Sequence, residues 1–181
     1  MSVTHELMIA GFGGQGVLFA GKILVYAGLL AGKEVSWLPS YGPEMRGGTA
    51  NINVMISDTM IGSPIVTNPT MLVAMNQPSL EKFEKDVKKD GIILIDSTLI
   101  PAQVKRADVK TCYIPATKLA EDKGLKGLAN MIMVGKVTKE LGVFDLEVVK
   151  AATSKSVPER KQDLLASNLR AIEIGFNYME G

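Results

Sequence analysis

Two glycine-rich segments carry residue types suited to binding rather than bond-breaking. The first is Gly11-Phe12-Gly13-Gly14-Gln15-Gly16, between an apolar run ending at Ala10 and a long apolar stretch over residues 17–31. That pattern predicts a strand, a tight turn and a helix N-terminus. Glycine there accepts positive φ and lets backbone amides approach a ligand, while unpaired amides and the helix dipole favour an anion such as phosphate. Gly11, Gly13 and Gly16 keep the dinucleotide spacing, but that fingerprint needs an acid ending the second strand roughly 20 residues on. Glu34 opens that strand at the opposite edge, and the strand ends in Trp37-Leu38-Pro39-Ser40, so an ordinary NAD site is not expected. Two readings stay open: contact with a phosphate-bearing ligand, with the Gln15 side-chain amide as a further donor, or glycines that only permit close packing of helix on strand.

The second segment runs from Pro39 to Asn51 and contains Ser40, Glu44 and Arg46 among two prolines and three glycines. Prolines fix its shape, and Gly47-Gly48 lets another backbone lie against it. Arg46 could fork onto a carboxylate or phosphate, or pair internally with Glu44 or an Asp; a protein interface is the third reading. Cys112 stands in an apolar strand and reads as a buried, inert thiol. His5 opens the first strand, away from the strand ends where ligands collect. Asn76 and Asp96 follow strands and read as turn or helix caps. The ten methionines are dispersed, as filler for a core or an interface. No catalytic residue and no metal ligand is assigned.

The elements that must position these groups alternate. Strands are predicted near residues 6–11 and 34–38, joined by a helix over about 15–31 into a βαβ unit with a parallel pair. Residues 49–56 alternate, with Ile52, Val54 and Ile56 on one face, and Ser57-Asp58 offers a turn into 59–61, suggesting an antiparallel hairpin. Residues 71–75 and 92–95 are continuous apolar runs, as in parallel strands covered on both faces, with helix over 78–88 between them. A strand over 109–114, a short helix over 118–121, a helix over 128–141 apolar nearly all round and an amphipathic helix over 158–178 complete the chain. The expected fold is α/β: a Rossmann-like three-layer α/β/α sandwich, its sheet mostly parallel with an antiparallel hairpin, in one domain spanning 1–181. If so, Gly11–Gly16, residues 40–44, Asn76-Gln77 and residues 96–98 share the carboxyl edge of the sheet, where such folds bind ligands.

Composition narrows the partners. A formal charge of +1 gives no electrostatic footprint for nucleic acid or an anionic membrane surface. One cysteine excludes an internal disulfide framework or an iron–sulfur site made by this chain alone, and suits a reducing compartment. The apolar stretch over 17–31 falls short of the roughly 20 residues a membrane span needs, and Lys22 interrupts it. No basic leader with a cleavage site precedes the first strand, so a cytoplasmic location is expected.

At the quoted segments the chain resembles the gamma subunit, or the corresponding domain, of the 2-oxoacid:ferredoxin oxidoreductases. The resemblance rests on GFGGQG at 11–16 followed by Gly21, on SYGPE at 40–44 with Arg46-Gly47-Gly48, and on LANMIMVG at 128–135, and it covers about residues 5–175. It implies a complex of alpha, beta and, in some members, ferredoxin-like delta subunits. Such a complex decarboxylates a 2-oxoacid, passes electrons through iron–sulfur clusters to ferredoxin and transfers the acyl group to coenzyme A. Pyruvate, 2-oxoglutarate, ketoisovalerate and indolepyruvate are substrates of such enzymes; the motifs do not choose among them, and 2-oxoglutarate is slightly preferred. Thiamine diphosphate, magnesium and the clusters would belong to partner subunits, because this chain has neither a Gly-Asp-Gly segment with paired asparagines nor a cysteine cluster. On this reading Gly11, Gly13, Gly14, Gln15, Gly16, Ser40, Glu44 and Arg46 are the candidate cofactor-binding residues, and the ligand of the first loop is the diphosphate of coenzyme A. The apolar helix from Leu128 and the loop around Arg46 would face partner subunits, and the isolated chain would form homodimers. The alternative is a stand-alone nucleotide-binding protein of Rossmann type.

Overall fold

The computed structural model describes residues 3–40 and 49–180. Six strands make one sheet: β1 (Thr4–Phe12), β2 (Glu34–Ser40), β3 (Thr49–Ser57), β4 (Met71–Ala74), β5 (Ile92–Asp96) and β6 (Lys110–Ile114), in the order β2-β3-β1-β4-β5-β6. β1, β4, β5 and β6 run parallel, and β3 runs antiparallel to both β1 and β2. The expected α/β sandwich with a mostly parallel sheet is therefore present.

Burial explains the order. Residues 7–10 of β1 are buried on both faces, as in a central strand, and its two edges pair with β3 and β4. β2 carries Glu34, exposed Trp37, Pro39 and exposed Ser40, features of an edge strand. β3 thus lies between β1 and β2, and the adjacent parallel pair expected from the βαβ pattern is not formed. Its antiparallel partners are those two strands; residues 59–61 form no strand. The period-two expectation for β3 holds, with Ile52, Val54 and Ile56 at most 1% exposed.

Period two also sorts the two cores. Leu7, Ile9, Val73, Leu94, Cys112 and Ile114 face α1 (Val17–Leu30) and α4 (Ala129–Leu141), while Met8, Ala10, Leu72, Ala74, Ile93 and Ile95 face α2 (Gln77–Phe83). α2 is shorter than expected; a tighter helical turn, Glu84–Asp86, follows it. α3 (Ala116–Asp122) follows β6.

Two differences lie near the chain's end. α5 (Leu146–Ser156) is a helix the sequence reading omitted, and the expected continuous helix over 158–178 is a 3-10 stretch, Glu159–Leu164, followed by α6 (Leu165–Asn177). Lys161, at φ −126 and ψ 22, interrupts the helical path. α4 is covered from within: residues 130–138 are all buried by the chain itself, with α6 packed along it. Its buried lysine, Lys136, pairs with Glu140 at 2.9 Å and donates to the Tyr178 carbonyl at 3.3 Å. The expectation that this helix faces partner subunits is thereby corrected. A helix buried nearly all round needs a cover, and α6, α3, α1 and the sheet supply it.

Candidate functional site

The sheet register brings the candidate segments to one edge. Ser40 is opposite Asn51, Asn51 opposite Ala10, Ala10 opposite Ala74 and Ala74 opposite Ile95. β1, β2, β4 and β5 therefore end side by side. Ser40 stands two strand spacings from the glycine loop, about 10 Å. Glu44 and Arg46 lie outside the described residues.

Gly11 lies within the last residues of β1, opposite Ala50, and the loop after the strand is built from Gly13, Gly14, Gln15 and Gly16. Gln15 N–H donates to the Phe12 carbonyl at 3.2 Å, closing the turn. The Gln15 side chain then staples it: Oε1 accepts from Phe12 N at 2.6 Å, and Nε2 donates to the Met75 carbonyl at 2.8 Å. The amide proposed as a ligand donor is thus engaged in fixing the loop to the end of β4. A side chain at Gly11 would meet Gln15 Oε1 at 2.6 Å, so this staple requires glycine there.

Gly16 is the N-cap of α1, at φ 76 and ψ 22, a left-handed conformation that favours glycine. It offers no side-chain cap, and the first turn of α1 holds no acid, so the leading amides of a 14-residue helix carry their partial positive charge uncompensated. α4 begins beside it, also without a side-chain cap or an acid in its first turn. Asn130, in that turn, donates from Nδ2 to the Gly16 carbonyl at 3.2 Å and so joins the two helix starts.

Two clefts flank this junction. One, of about 240 Å³, lies between Gly14, Gln15, Thr117, Glu121, Lys126 and Gly127. The other, of about 380 Å³, lies between Gly16, Phe19, Lys22, Val157 and Lys161 and shares Gly127 with the first. Lys22, Lys126 and Lys161 are charges the sequence reading did not single out. The Lys126-Gly127 turn directly before the motif at 128–135 was the available signal. Glu121 is an acid lining the smaller cleft. Two helix N-termini and these lysines make the junction electropositive, which suits a diphosphate more than a neutral ligand.

The other polar groups at strand ends are structural. Asn76 Oδ1 accepts from Ser79 N at 2.8 Å and caps α2. Asp96, fully buried, accepts from Thr98 N at 3.1 Å and from Thr117 Oγ1 at 2.6 Å. His5 lies at the opposite edge, beside a cleft of about 310 Å³ bounded by Thr70, Lys88 and Asp90. Burial lowers its pKa, with Asp58 opposing the shift. That cleft is larger than the one at Gly14 but sits at the amino ends of β1, β4 and β5, away from both helix N-termini. Burial pushes the Cys112 thiol up to about 11, which makes it a poor nucleophile. Among the described residues there is no group of three or more His, Cys, Asp or Glu side chains that could hold a metal ion, and no helix is long and apolar enough to cross a membrane.

Ketoisovalerate oxidoreductase subunit VorA of Methanothermobacter thermautotrophicus is 44% identical over 172 residues, covering 94% of this chain and 35% of that protein. The chain thus spans about a third of that relative's length. The 2-oxoglutarate synthase subunit KorC of the same organism is 36% identical over 182 residues, covering 97% of this chain and 95% of that one. The crystal structure of the keto/oxoacid ferredoxin oxidoreductase gamma subunit of Geobacter sulfurreducens superposes with a TM-score of 0.82 at 29% identity, over 95% of this chain and 96% of the other. The family model for pyruvate ferredoxin/flavodoxin oxidoreductase matches residues 6–178, and the chain belongs to that family.

Proposed function

We propose that this chain, as a single gamma-type domain, is a non-autonomous subunit of a cytoplasmic, multisubunit 2-oxoacid:ferredoxin oxidoreductase that converts a 2-oxoacid to its acyl-coenzyme A. Its glycine loop holds the diphosphate of coenzyme A. The observation that carries the second statement is the meeting of two uncapped helix N-termini at Gly16 and Asn130, with no acid in either first turn and Lys126 alongside. Such a junction binds a diphosphate through backbone amides and needs no sequence-specific side chain.

Thiamine diphosphate, held with magnesium by partner subunits, supplies the carbanion chemistry, and iron–sulfur clusters there carry electrons to ferredoxin. This chain's residues bind and orient. Gln15 and Met75 fix the loop, the α1 and α4 amides meet the phosphates, and Phe19 and Val157 give apolar walls to the adjoining cleft. The relatives named for ketoisovalerate and 2-oxoglutarate differ in what they act on, so the oxoacid is to be read from an assay.

The test is recovery of the tagged chain from its native host under anaerobic conditions, with mass spectrometry and oxoacid-dependent, coenzyme A-dependent dye reduction. Copurifying thiamine-binding and iron–sulfur subunits with activity is the expected result. A chain recovered alone and inactive contradicts the proposal and favours a stand-alone nucleotide-binding protein.

A further inference from the structure

Asn130 is poorly explained by stability. It is 6% exposed, its Nδ2 donates to the Gly16 carbonyl across 114 residues of chain, and its Oδ1 is buried with no partner among the described residues. Gly16 O already accepts from Ala20 N at 3.0 Å, the opening hydrogen bond of α1. One further bond contributes little net stability, whereas a buried, unpaired acceptor is costly, so the carboxamide is neutral to unfavourable for folding.

The bond does fix an orientation. The peptide linking Gly16 to Val17 is planar and trans, so its C=O and N–H point in opposite directions. Pinning the Gly16 carbonyl from Asn130 therefore pins the Val17 N–H, the first of the unpaired amides of α1, facing out of the helix start. Gly16 must stay glycine for this contact, because a Cβ there would collide with Asn130 Nδ2.

We propose that Asn130 is a positioning residue that aims the Val17 amide at the ligand's anionic group. This rests on the reading of the loop as the coenzyme A diphosphate site. The assembled complex would be assayed as wild type, Asn130→Leu, Asn130→Ala and Lys126→Gln, with KM measured separately for coenzyme A and for the oxoacid, alongside thermal melts. Asn130→Leu is expected to melt close to wild type and Asn130→Ala slightly lower for the cavity it leaves, and both to raise KM for coenzyme A about tenfold. KM for the oxoacid and kcat should be unchanged, and Lys126→Gln should also raise KM for coenzyme A. If Lys126→Gln raises that KM and the Asn130 variants do not, the positioning role is overturned while the loop reading stands. If none of the three changes it, the loop reading falls and the positioning role with it. If both Asn130 variants melt well below wild type, Asn130 holds the fold instead, and the proposal is overturned.

Discussion

Gly135 of α4 and Gly175 of α6 bring their helices into backbone contact. A Cβ at Gly135 would collide with the Ile172 carbonyl, and one at Gly175 with the Ile132 carbonyl. This crossing covers the buried face of α4 and so fixes where its N-terminus meets the glycine loop.

Replacing either glycine by alanine should therefore destabilise the chain by about 3 kcal/mol, because backbone rather than a flexible side chain must move. Urea melts of Gly175→Ala would measure it. A midpoint within experimental error of wild type would mean the helices are not in backbone contact.

Gly16→Ala combines a left-handed backbone with a clash against Asn130. The backbone strain costs about 1–2 kcal/mol, and the clash adds to it. In the double variant Gly16→Ala/Asn130→Ala the clash is relieved, so the double loss should be smaller than the sum of the single losses. Additive losses would show that the two residues do not touch.

Gln15→Ala removes the bonds to Phe12 N and the Met75 carbonyl. Stability should fall by about 2 kcal/mol, at roughly 1 kcal/mol per hydrogen bond. The loosened loop should also raise KM for coenzyme A in the assembled complex. An unchanged melt would show that the staple does not persist in solution.

Cys112 should resist iodoacetamide at pH 8 in the folded chain and react on unfolding, because it is 3% exposed and its thiol holds its proton up to about pH 11. Between its ordinary value of 9.0 and about 11 the unfolded chain loses this proton while the folded chain keeps it. The folded state then binds more protons, so stability falls as pH rises through that window. Cys112→Ala should flatten that part of the pH profile.

The parts of the fold legible in the sequence were those set by local pattern. The strand, glycine turn and helix over residues 4–30, the alternation of Ile52, Val54 and Ile56, and the capping roles of Asn76 and Asp96 follow from period, turn chemistry and side-chain reach. Adjacency was not legible: nothing in the periodicity of β2 or β3 says that β3 enters between β1 and β2, an order that leaves the exposed, proline-bearing β2 at the edge of the sheet. α5 was missed although Asp145 precedes it and Pro158 follows it, because its adjacent valines and its polar second half, Thr153-Ser154-Lys155-Ser156, weaken the helical pattern. Of the site, the glycine loop was visible and its partner was not. Gly16 and Asn130 are 114 residues apart, and only the packing of α4 against α1 brings them together.

The central claim is that the uncapped amides at the start of α1 hold the diphosphate of coenzyme A, and amide hydrogen exchange in the assembled complex tests it most directly. Residues 13–19 should exchange more slowly when coenzyme A is added, and pantetheine, which lacks the diphosphate, should leave them unchanged. Slowed exchange elsewhere in the complex, with none in this segment, would contradict the claim.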